Sequence, residues 1–283
     1  MGSPIALRLH EAGRHVVVHD PDEGSVAALG ALGLEAGGSA AGVAKSCHVV
    51  ILSLPTPEVV RAVVAEMTAA RCGPTVLDTS TVGPDTSEAC AVDLETVGGR
   101  YADCPILGRP EAVGTWTIPV GGHPDLVATA ETVLAPLARR VVGVGPTGAA
   151  ATLKVLNNAM LGVINAATAE VLVLAEAAGL APEVFVETLV DSGAASVSGL
   201  FRDVAPRAVR GDFAPTFSVR LMHKDNALAL ELADRHTVQT PVTQAAQRVN
   251  VLALEAGLGD EDSIAVLQVL RDRVGRRGNR DPR

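Results

Sequence analysis

Apolar residues recur at helical spacing almost from the first residue of the chain. Ile5, Ala6 and Leu9 follow the helical period, and a β-branched run at 16–18 then leads to Asp20. A helix, a short buried strand and an acid at the strand end form the second half of a nucleotide-binding βαβ unit. The strand and glycine-rich turn of the first half do not precede the helix in this sequence.

Strand and helix patterns alternate from there to about residue 145. The predicted strands are 15–20, 48–55, 74–80, 101–106, 116–122 and 140–145. The predicted helices between them are 23–33, 57–70, 86–98 and 124–138. This alternation predicts an α/β fold with a Rossmann-type doubly wound parallel sheet and helices on both of its faces.

The pattern changes after Gly145-Pro146, where apolar residues keep helical spacing for about 30 residues. A helix of that length extends about 45 Å, which is enough to join two domains. The later segments are also helical in pattern and are separated by Gly or Pro. We therefore predict a Rossmann-type domain over 1–146 and an all-helical domain over 147–283, joined by a long interdomain helix.

The start of the chain is the unusual feature of the predicted sheet. In a doubly wound sheet the first strand is central, so its absence leaves an open slot rather than a trimmed edge. Losing a buried apolar strand removes roughly 5–10 kcal/mol of burial, which is comparable to the stability of a domain. We expect either a fragment whose true start lies about a dozen residues upstream, or a protein that completes its sheet in another way.

Composition narrows the classes of partner. Hydrophobic residues make up 48% of the chain, aromatic residues only 2%, and the formal net charge is −9. Few aromatic side chains and a negative charge argue against a nucleic-acid or membrane partner. No apolar stretch approaches the roughly 18 residues needed to span a bilayer. The segment 161–180 comes nearest, but Asn165, Glu170 and Glu176 interrupt it. We interpret that segment as a buried helix of a soluble protein.

Two residue types carry further information. The four cysteines show no C-x-x-C spacing, so we expect reduced thiols in a cytoplasmic protein, and we predict no metal site. Of the 23 basic side chains, only Lys45, Lys154 and Lys224 are lysines. Because arginine supplies nearly all of the positive charge, these lysines are candidates for chemistry that a guanidinium cannot perform.

Gly2 and Asp20 are spaced as the last glycine and the ribose-binding acid of a dinucleotide fingerprint. Glycine at the helix start permits close approach of a pyrophosphate to the helix N-terminus. The alternative is that Asp20-Pro21 forms a turn that ends the strand and caps the next helix. The two residues alone do not decide between these interpretations.

Several further motifs occur in one order along nearly the whole chain. They are Met1-Gly2, LSLPTPEVV (52–60), DTSTVGP (78–84), DCPILGRPE (103–111), GPTGAAATLKVLNN (145–158) and FSVRLMHKDNALAL (217–230). In these motifs the chain resembles the β-hydroxyacid dehydrogenases, the group of 3-hydroxyisobutyrate dehydrogenase and glyoxylate/succinic semialdehyde reductase. Members open with a strand and G-x-G-x-M-G, of which this chain shows the final Met-Gly.

The resemblance implies a nicotinamide cofactor and residues that contact it. Asp20 stands where a carboxylate binds the ribose diol of NAD and repels the 2′-phosphate of NADP, so we expect NAD rather than NADP. The other implied cofactor contacts are Met1, Gly2, Leu54, Pro55, Thr81, Phe217 and Lys224.

The resemblance makes Lys154 the general acid/base, with Asn158 holding the substrate oxygens one helical turn later. The physics agrees, because a partly desolvated amine has a lowered pKa and can exchange a proton. Lys224 and Asp225 match a pair that closes the active site, and Asp225 is expected to be catalytic. The alternatives are an exposed helix lysine at Lys154 and two solvated charges on an amphipathic helix at Lys224 and Asp225.

The substrate motif departs from the family pattern. Most members read D-A-P-V-S-G-G, whose Ser and glycine amides bind the substrate carboxylate, whereas this chain reads DCPILGR, with Leu107 replacing the Ser. Gly108 is retained and Arg109 stands in place of the second Gly. We hypothesise that Arg109 grips the acid group of the substrate, one that is bulkier or more charged than a simple carboxylate. The alternative is a surface arginine in a turn.

Taken together, the motifs predict an NAD(P)-dependent oxidoreductase acting on a small hydroxy acid or its semialdehyde. Two alternatives remain at this point: a cofactor-deficient relative that serves as an oligomeric interaction module, and an imine reductase. Lys154 argues against the latter, since that branch usually replaces the lysine. The resemblance and the apolar stretch 159–178 also predict a homodimer or homotetramer.

Overall fold

Strands and helices alternate through the first half of the chain, as the hydrophobic pattern predicts. A computed structural model describes residues 1–194 and 196–278. The strands are β1 (Val17–Val18), β2 (Glu35–Ala36), β3 (Val49–Leu52), β4 (Thr75–Asp78), β5 (Arg100–Asp103), β6 (Trp116–Gly121) and β7 (Ala138–Gly145). The helices among them are α1 (Gly2–Glu11), α2 (Glu23–Gly30), α3 (Ala40–Ser46), α4 (Pro57–Ala69), α5 (Pro84–Glu95) and α6 (Pro124–Leu134).

The rest of the described chain is helical. The long helix α7 (Ala149–Ala177) is followed by α8 (Pro182–Ser192), α9 (Gly199–Val209), α10 (Val219–Arg235), α11 (Pro241–Glu255) and α12 (Val266–Gly278). The chain divides into two compact units inside α7, one ending at Val155 and the other beginning at Leu156. The sequence places the domain boundary before this helix, at 146/147.

The sheet consists of two separate parts. Strands β1 and β2 pair in parallel, and the other five strands form a second sheet in the order β3-β4-β5-β6-β7. All pairs in the larger sheet are parallel except β5 with β6, which is antiparallel. The division lies between β1 and β3, where a doubly wound order places its central strand and where the sequence predicts a slot.

Register brings the carboxyl ends of the central strands into one row. Leu52 pairs with Asp78, Asp78 with Asp103, and Asp103 with Gly121. The segments that follow β3, β4 and β5 therefore leave the sheet at the same edge. In open α/β sheets this edge is where ligands bind.

Two elements are absent from the sequence-based prediction. Strand β2 has only two residues, and both are exposed. Helix α3 has seven residues, most of them small. Ser39 caps α3 by accepting a hydrogen bond from the Gly42 amide at 2.9 Å. Neither segment has enough apolar side chains to show a clear period, which explains why the pattern does not predict them.

Helix α7 corrects one expectation about the apolar segment. Over its most apolar 18 residues the mean hydropathy is 1.5, so by length and composition this helix could cross a membrane despite its polar residues. Half of that window is nevertheless buried inside the protein. Its buried side chains include Asn158 and Asn165 as well as Leu172. This burial is typical of the core helix of a soluble protein.

Each unit has its own apolar core. In the first unit α1 contributes Ile5 and Leu9 to a cluster that also contains Leu77, Trp116 and Ile118. In the second unit α7 packs Leu172 into a cluster with members from α9, α10 and α12, including Phe201, Val219 and Leu267. These cores hold the helices whose ends carry the predicted site residues.

Candidate functional site

The N-terminus of α1 lies beside the carboxyl end of β3. A Cβ built on Gly2 would lie 3.8 Å from the Ser53 Cβ, an ordinary contact distance, so the helix start is not crowded. Met1 is the residue at the helix cap. Backbone N–H groups at a helix N-terminus favour anions such as a pyrophosphate, and this edge of the sheet fits that role.

A buried carboxylate fixes the loops after β3 and β4. Asp78 accepts a hydrogen bond from the Tyr101 hydroxyl at 2.6 Å and another from the Ser80 amide at 2.8 Å. The Ser80 hydroxyl in turn accepts from the Leu54 amide at 2.9 Å. Burial raises the pKa of Asp78, and burial together with the Asp78 charge raises the pKa of Tyr101. The predicted cofactor contacts Leu54 and Thr81 therefore lie on loops joined by one polar network.

Asp20 ends the strand segment at β1 and is exposed. One of its carboxylate oxygens accepts the Asp22 amide at 2.9 Å, which makes the turn that the alternative interpretation expects. The cap of α2, however, is Asp22, whose side chain accepts from the Gly24 amide at 3.1 Å and from the Ser25 hydroxyl at 2.7 Å. Asp20 is therefore a turn residue but not the helix cap, and its exposed carboxylate suits a ribose diol.

Asp103, at the end of β5, holds the start of α7. Its two carboxylate oxygens accept the Gly148 amide at 2.8 Å and the Ala151 amide at 2.7 Å. Burial raises the pKa of Asp103, and the two amide hydrogen bonds oppose that shift. The sequence prediction does not assign this residue a role. Its position as the first residue of the substrate motif was the available signal.

Lys154 lies next to the substrate motif. Its side chain is half-buried, and Nζ donates a hydrogen bond to the carbonyl oxygen of Ile106 at 2.8 Å. Asp103 fixes the helix start and the amine contacts the segment just after β5, so the first unit brings the predicted acid/base and the predicted substrate motif together. The alternative of an exposed helix lysine does not fit this position.

The substrate motif itself is held by the neighbouring strand. Leu107 pairs with Thr117 through amide-to-carbonyl bonds of 2.9 and 3.2 Å. A Cβ on Gly108 would lie 2.3 Å from the Trp116 ring, so only glycine fits there. The Trp116 indole N–H donates to the Arg109 carbonyl at 2.7 Å. The backbone is thus fixed through Arg109, while the Arg109 side chain is exposed.

The second unit brings together the other predicted catalytic residues. Asn158 on α7 donates from Nδ2 to Asp225 on α10, with the two atoms 2.5 Å apart. Lys224 Nζ lies 3.0 Å from the other Asp225 oxygen. Asn158 and Asp225 are 3% and 1% exposed, and the Lys224 side chain is 21% exposed. Lys224 and Asp225 are therefore not two solvated charges on a helix surface. Asn158 follows Lys154 by four residues on the same helix.

Phe217 is half-buried on the segment just before α10. Its amide faces a carboxylate of Asp262, 3.4 Å away, and its carbonyl accepts from the Ser263 amide at 2.8 Å. Asp262 is a further residue that the sequence prediction does not assign a role.

In the described residues no group of three or more His, Cys, Asp or Glu side chains could hold a metal.

Comparisons with known proteins cover almost the entire chain. The family model for the NAD binding domain of 6-phosphogluconate dehydrogenase matches residues 1–145. The model for the NAD-binding domain of NADP-dependent 3-hydroxyisobutyrate dehydrogenase matches residues 148–270. The two matches meet close to the start of α7.

Named relatives and a solved structure agree with these matches. The chain is 32% identical to 2-(hydroxymethyl)glutarate dehydrogenase of Eubacterium barkeri, over 97% of this chain and 93% of the relative. It is 31% identical to 3-sulfolactaldehyde reductase of Escherichia coli, over 97% and 94%. The structure of Mycobacterium tuberculosis 3-hydroxyisobutyrate dehydrogenase with L-serine superposes with a TM-score of 0.86 at 30% identity, covering 96% of both chains.

Proposed function

Because the chain belongs to the β-hydroxyacid dehydrogenase family, we propose that Lys154 is the general acid/base in hydride transfer between a nicotinamide cofactor and a small hydroxy acid or its semialdehyde. The chain is an NAD(P)-dependent oxidoreductase of this family. The proposal covers both oxidation of the hydroxy acid and reduction of the semialdehyde. The observation that carries the proposal is the Lys154 amine, 2.8 Å from the Ile106 carbonyl oxygen in the substrate motif. The solved 3-hydroxyisobutyrate dehydrogenase superposes with a TM-score of 0.86, whereas a solved imine reductase of Pseudomonas sp. superposes with only 0.58, which favours this function over imine reduction. The retained Lys154 favours it over a non-enzymatic module.

The residues present fit a dinucleotide. The uncrowded start of α1 at Met1 and Gly2 suits the pyrophosphate, and the exposed Asp20 suits the adenosine ribose. Leu54, Pro55 and Thr81 follow β3 and β4 at the edge of the sheet where ligands bind. We also propose Phe217 and Lys224 as cofactor contacts. When bound, the nicotinamide ring supplies or accepts the hydride.

Lys154 moves the proton at the substrate oxygen. In the reducing direction its ammonium donates a proton to the carbonyl oxygen, and in the oxidising direction its neutral amine accepts the hydroxyl proton. The contact with Ile106 keeps the amine beside the substrate motif, where the substrate oxygen is proposed to bind.

Asn158 holds the substrate oxygen from the next turn of the same helix. Its Nδ2 carries two hydrogens, of which Asp225 accepts one, so the amide is fixed in orientation and the other hydrogen can serve the substrate. Asp225 is compensated by Lys224, which makes a buried carboxylate tolerable at this position.

The substrate acid group is the proposed partner of Arg109. Leu107 and Gly108 are fixed in backbone conformation, and Leu107 offers no hydroxyl to an anion, whereas the exposed Arg109 side chain offers a two-pronged donor. Two relatives are named for acids of higher charge or bulk, a hydroxymethyl-substituted dicarboxylate and a sulfonate. We propose such an acid, rather than a simple monocarboxylate, as the substrate class.

A second copy of this chain is the proposed partner of α7. Within the second unit, one face of this helix exposes large apolar side chains at helical spacing: Leu156, Met160, Val171 and Leu174. Leu174 is 65% and Met160 66% exposed, which is costly for a helix left in water. We propose a homodimer or homotetramer in which this apolar face of α7 is buried against another copy. We also propose a cytoplasmic location, which suits the four free thiols.

Replacing Lys154 tests the acid/base role. Lys154→Ala should lower kcat by about 10²–10⁴-fold, because no other group takes over the proton. Lys154→Arg keeps a positive charge and should fail similarly, since a guanidinium does not release its proton at neutral pH. Binding of NADH, measured by calorimetry, should change little in both variants. Lys45→Arg on α3 is the matched control, and an active Lys154→Arg enzyme would contradict the assignment.

Replacing Asp20 tests the choice of cofactor. The wild type should bind NADH more tightly than NADPH in calorimetric titrations. Asp20→Ala should weaken NADH binding by about tenfold or more, because it removes hydrogen bonds to a charged acceptor. Glu23→Gln, an exposed acid in the first turn of α2, is the control. Equal binding of both dinucleotides by the wild type would refute the role of Asp20.

Replacing Arg109 tests the substrate class. Arg109→Ala should raise KM for the acid substrate by about tenfold or more with little change in kcat, since a charge-assisted fork is lost from binding. The assay panel should include sulfonates, dicarboxylates and simple hydroxy acids. Arg139→Ala, an exposed residue of β7, is the control. An unchanged apparent affinity for every acid turned over would remove Arg109 from the site.

The oligomer is tested by light scattering. The wild type should show the mass of a dimer or tetramer, and Met160→Glu with Leu174→Glu should shift it toward the monomer by placing charges on the apolar face of α7. Val92→Glu, at an equally exposed apolar residue on α5, should leave the mass unchanged. A monomeric wild type would contradict the proposal.

A further inference from the structure

The segment that carries Phe217 is bound to the start of the last helical region of the second unit. Asp262 is 1% exposed, and its Oδ2 accepts the Thr216 amide at 2.9 Å and the Thr216 hydroxyl at 2.7 Å. The same oxygen faces the Phe217 amide at 3.4 Å. Its other oxygen accepts the Ile264 amide at 3.2 Å. One side chain therefore ties residues 216–217 to residues 262–264.

Backbone bonds reinforce this connection on both sides of Phe217. The Asp262 amide donates to the Phe213 carbonyl at 2.9 Å, and the Ser263 amide donates to the Phe217 carbonyl at 2.8 Å. The Val219 amide donates to the Glu261 carbonyl at 2.9 Å. Both peptide groups that flank Phe217 are thus fixed, and so is the first residue of α10.

Arg207 compensates the buried charge. Its Nη1 lies 3.3 Å from Asp262 Oδ2, and its Nε donates to Asp212 at 3.1 Å. The guanidinium also donates to the carbonyl of Ala214. The hydrogen bond with Asp212 is the main cause that raises the pKa of Arg207. Arg207 thus holds the early part of the segment, 212–214, while Asp262 holds its later part.

We propose that Asp262 is a positioning residue for cofactor binding, because it sets the backbone of Phe217 and the start of α10, which carries Lys224. Asp262 is far too buried to contact a ligand itself and acts through the segment that it holds. The inference rests on the proposed contact of Phe217 and Lys224 with the cofactor. Arg207, Thr216, Asp262 and Ser263 together are named the Asp262 clamp.

Asp262→Asn is the first test, because it keeps the volume of the side chain. The asparagine side chain has one oxygen, which can accept from Thr216 or from the Ile264 amide but not from both. The donors on the other side would then face an NH₂ group, which cannot accept a hydrogen bond. We expect the Kd for NADH to rise by about tenfold in calorimetry. At saturating cofactor kcat should fall by a smaller factor than the Kd rises, because Lys154 is not on this segment. Thr216→Val removes one donor at an exposed residue, should fold, and should raise the Kd by a smaller factor.

The control must lower stability in the same unit without touching the clamp. Glu176 on α7 forms a half-buried ion pair with Arg271 on α12, and neither residue contacts 213–220 in the bonds described. Glu176→Gln should lower Tm and leave the Kd for NADH unchanged. Amide hydrogen exchange at Phe217 and Ser263 should accelerate only in the clamp variants.

The outcomes separate this inference from the proposed function. If the wild type binds NADH but turns over no acid, the proposed substrate chemistry fails. The Kd for NADH of Asp262→Asn, compared with that of the wild type, still tests the role of the Asp262 clamp. If Asp262→Asn and Thr216→Val bind NADH as the wild type does, with Tm lowered as in Glu176→Gln, the clamp is only structural. Failure of the wild type to bind either NADH or NADPH would overturn both proposals.

Discussion

The amides of Gly148 and Ala151 donate hydrogen bonds to Asp103 and thereby fix the start of α7 against the sheet. They join the last residue of β5 to the helix that carries Lys154 and then Asn158. Lys154 follows Ala151 by three residues on this helix, so the position of its amine depends on this contact. Gly121 belongs to the same arrangement, since a Cβ there would lie 2.5 Å from an Asp103 oxygen. The close approach of β6 to β5 therefore requires glycine at that position.

Buried carboxylates fix loops and helices in both units. Asp78, Asp103, Asp225 and Asp262 are each 2% exposed or less. The first two are stabilised mainly by backbone amides and a hydroxyl, whereas Asp225 and Asp262 face a lysine and an arginine. Removing a charge from water is costly, so each carboxylate persists only where donors are already in place. The result is that the segments carrying the proposed site residues are fixed by the protein itself.

The sequence predicts the alternation of strands and helices because apolar periodicity is a local property. It also singles out Lys154 and Lys224, since lysine is rare in this chain and both stand in family motifs. It does not single out Asp103 or Asp262, because the partners that they hold, apart from Ile264, lie 45 or more residues away along the chain. Such contacts are created by folding, and a carboxylate after a strand or before a short helical turn has no distinctive pattern. Leu107 and Gly108 show the same limit, since the reason for that glycine is Trp116 on another strand.

The lysines have a consequence for chemical labelling. Lys45 is exposed at the end of α3, whereas Lys154 is half-buried and the Lys224 side chain is 21% exposed beside its carboxylate. A reagent that acylates primary amines therefore meets few targets: the terminal amine, Lys45, and two less accessible amines that belong to the proposed site. Coupling to a solid support through amines would attach this protein mainly at the terminus and at Lys45. The extent of acylation at the other two positions would then report directly how well the site is shielded.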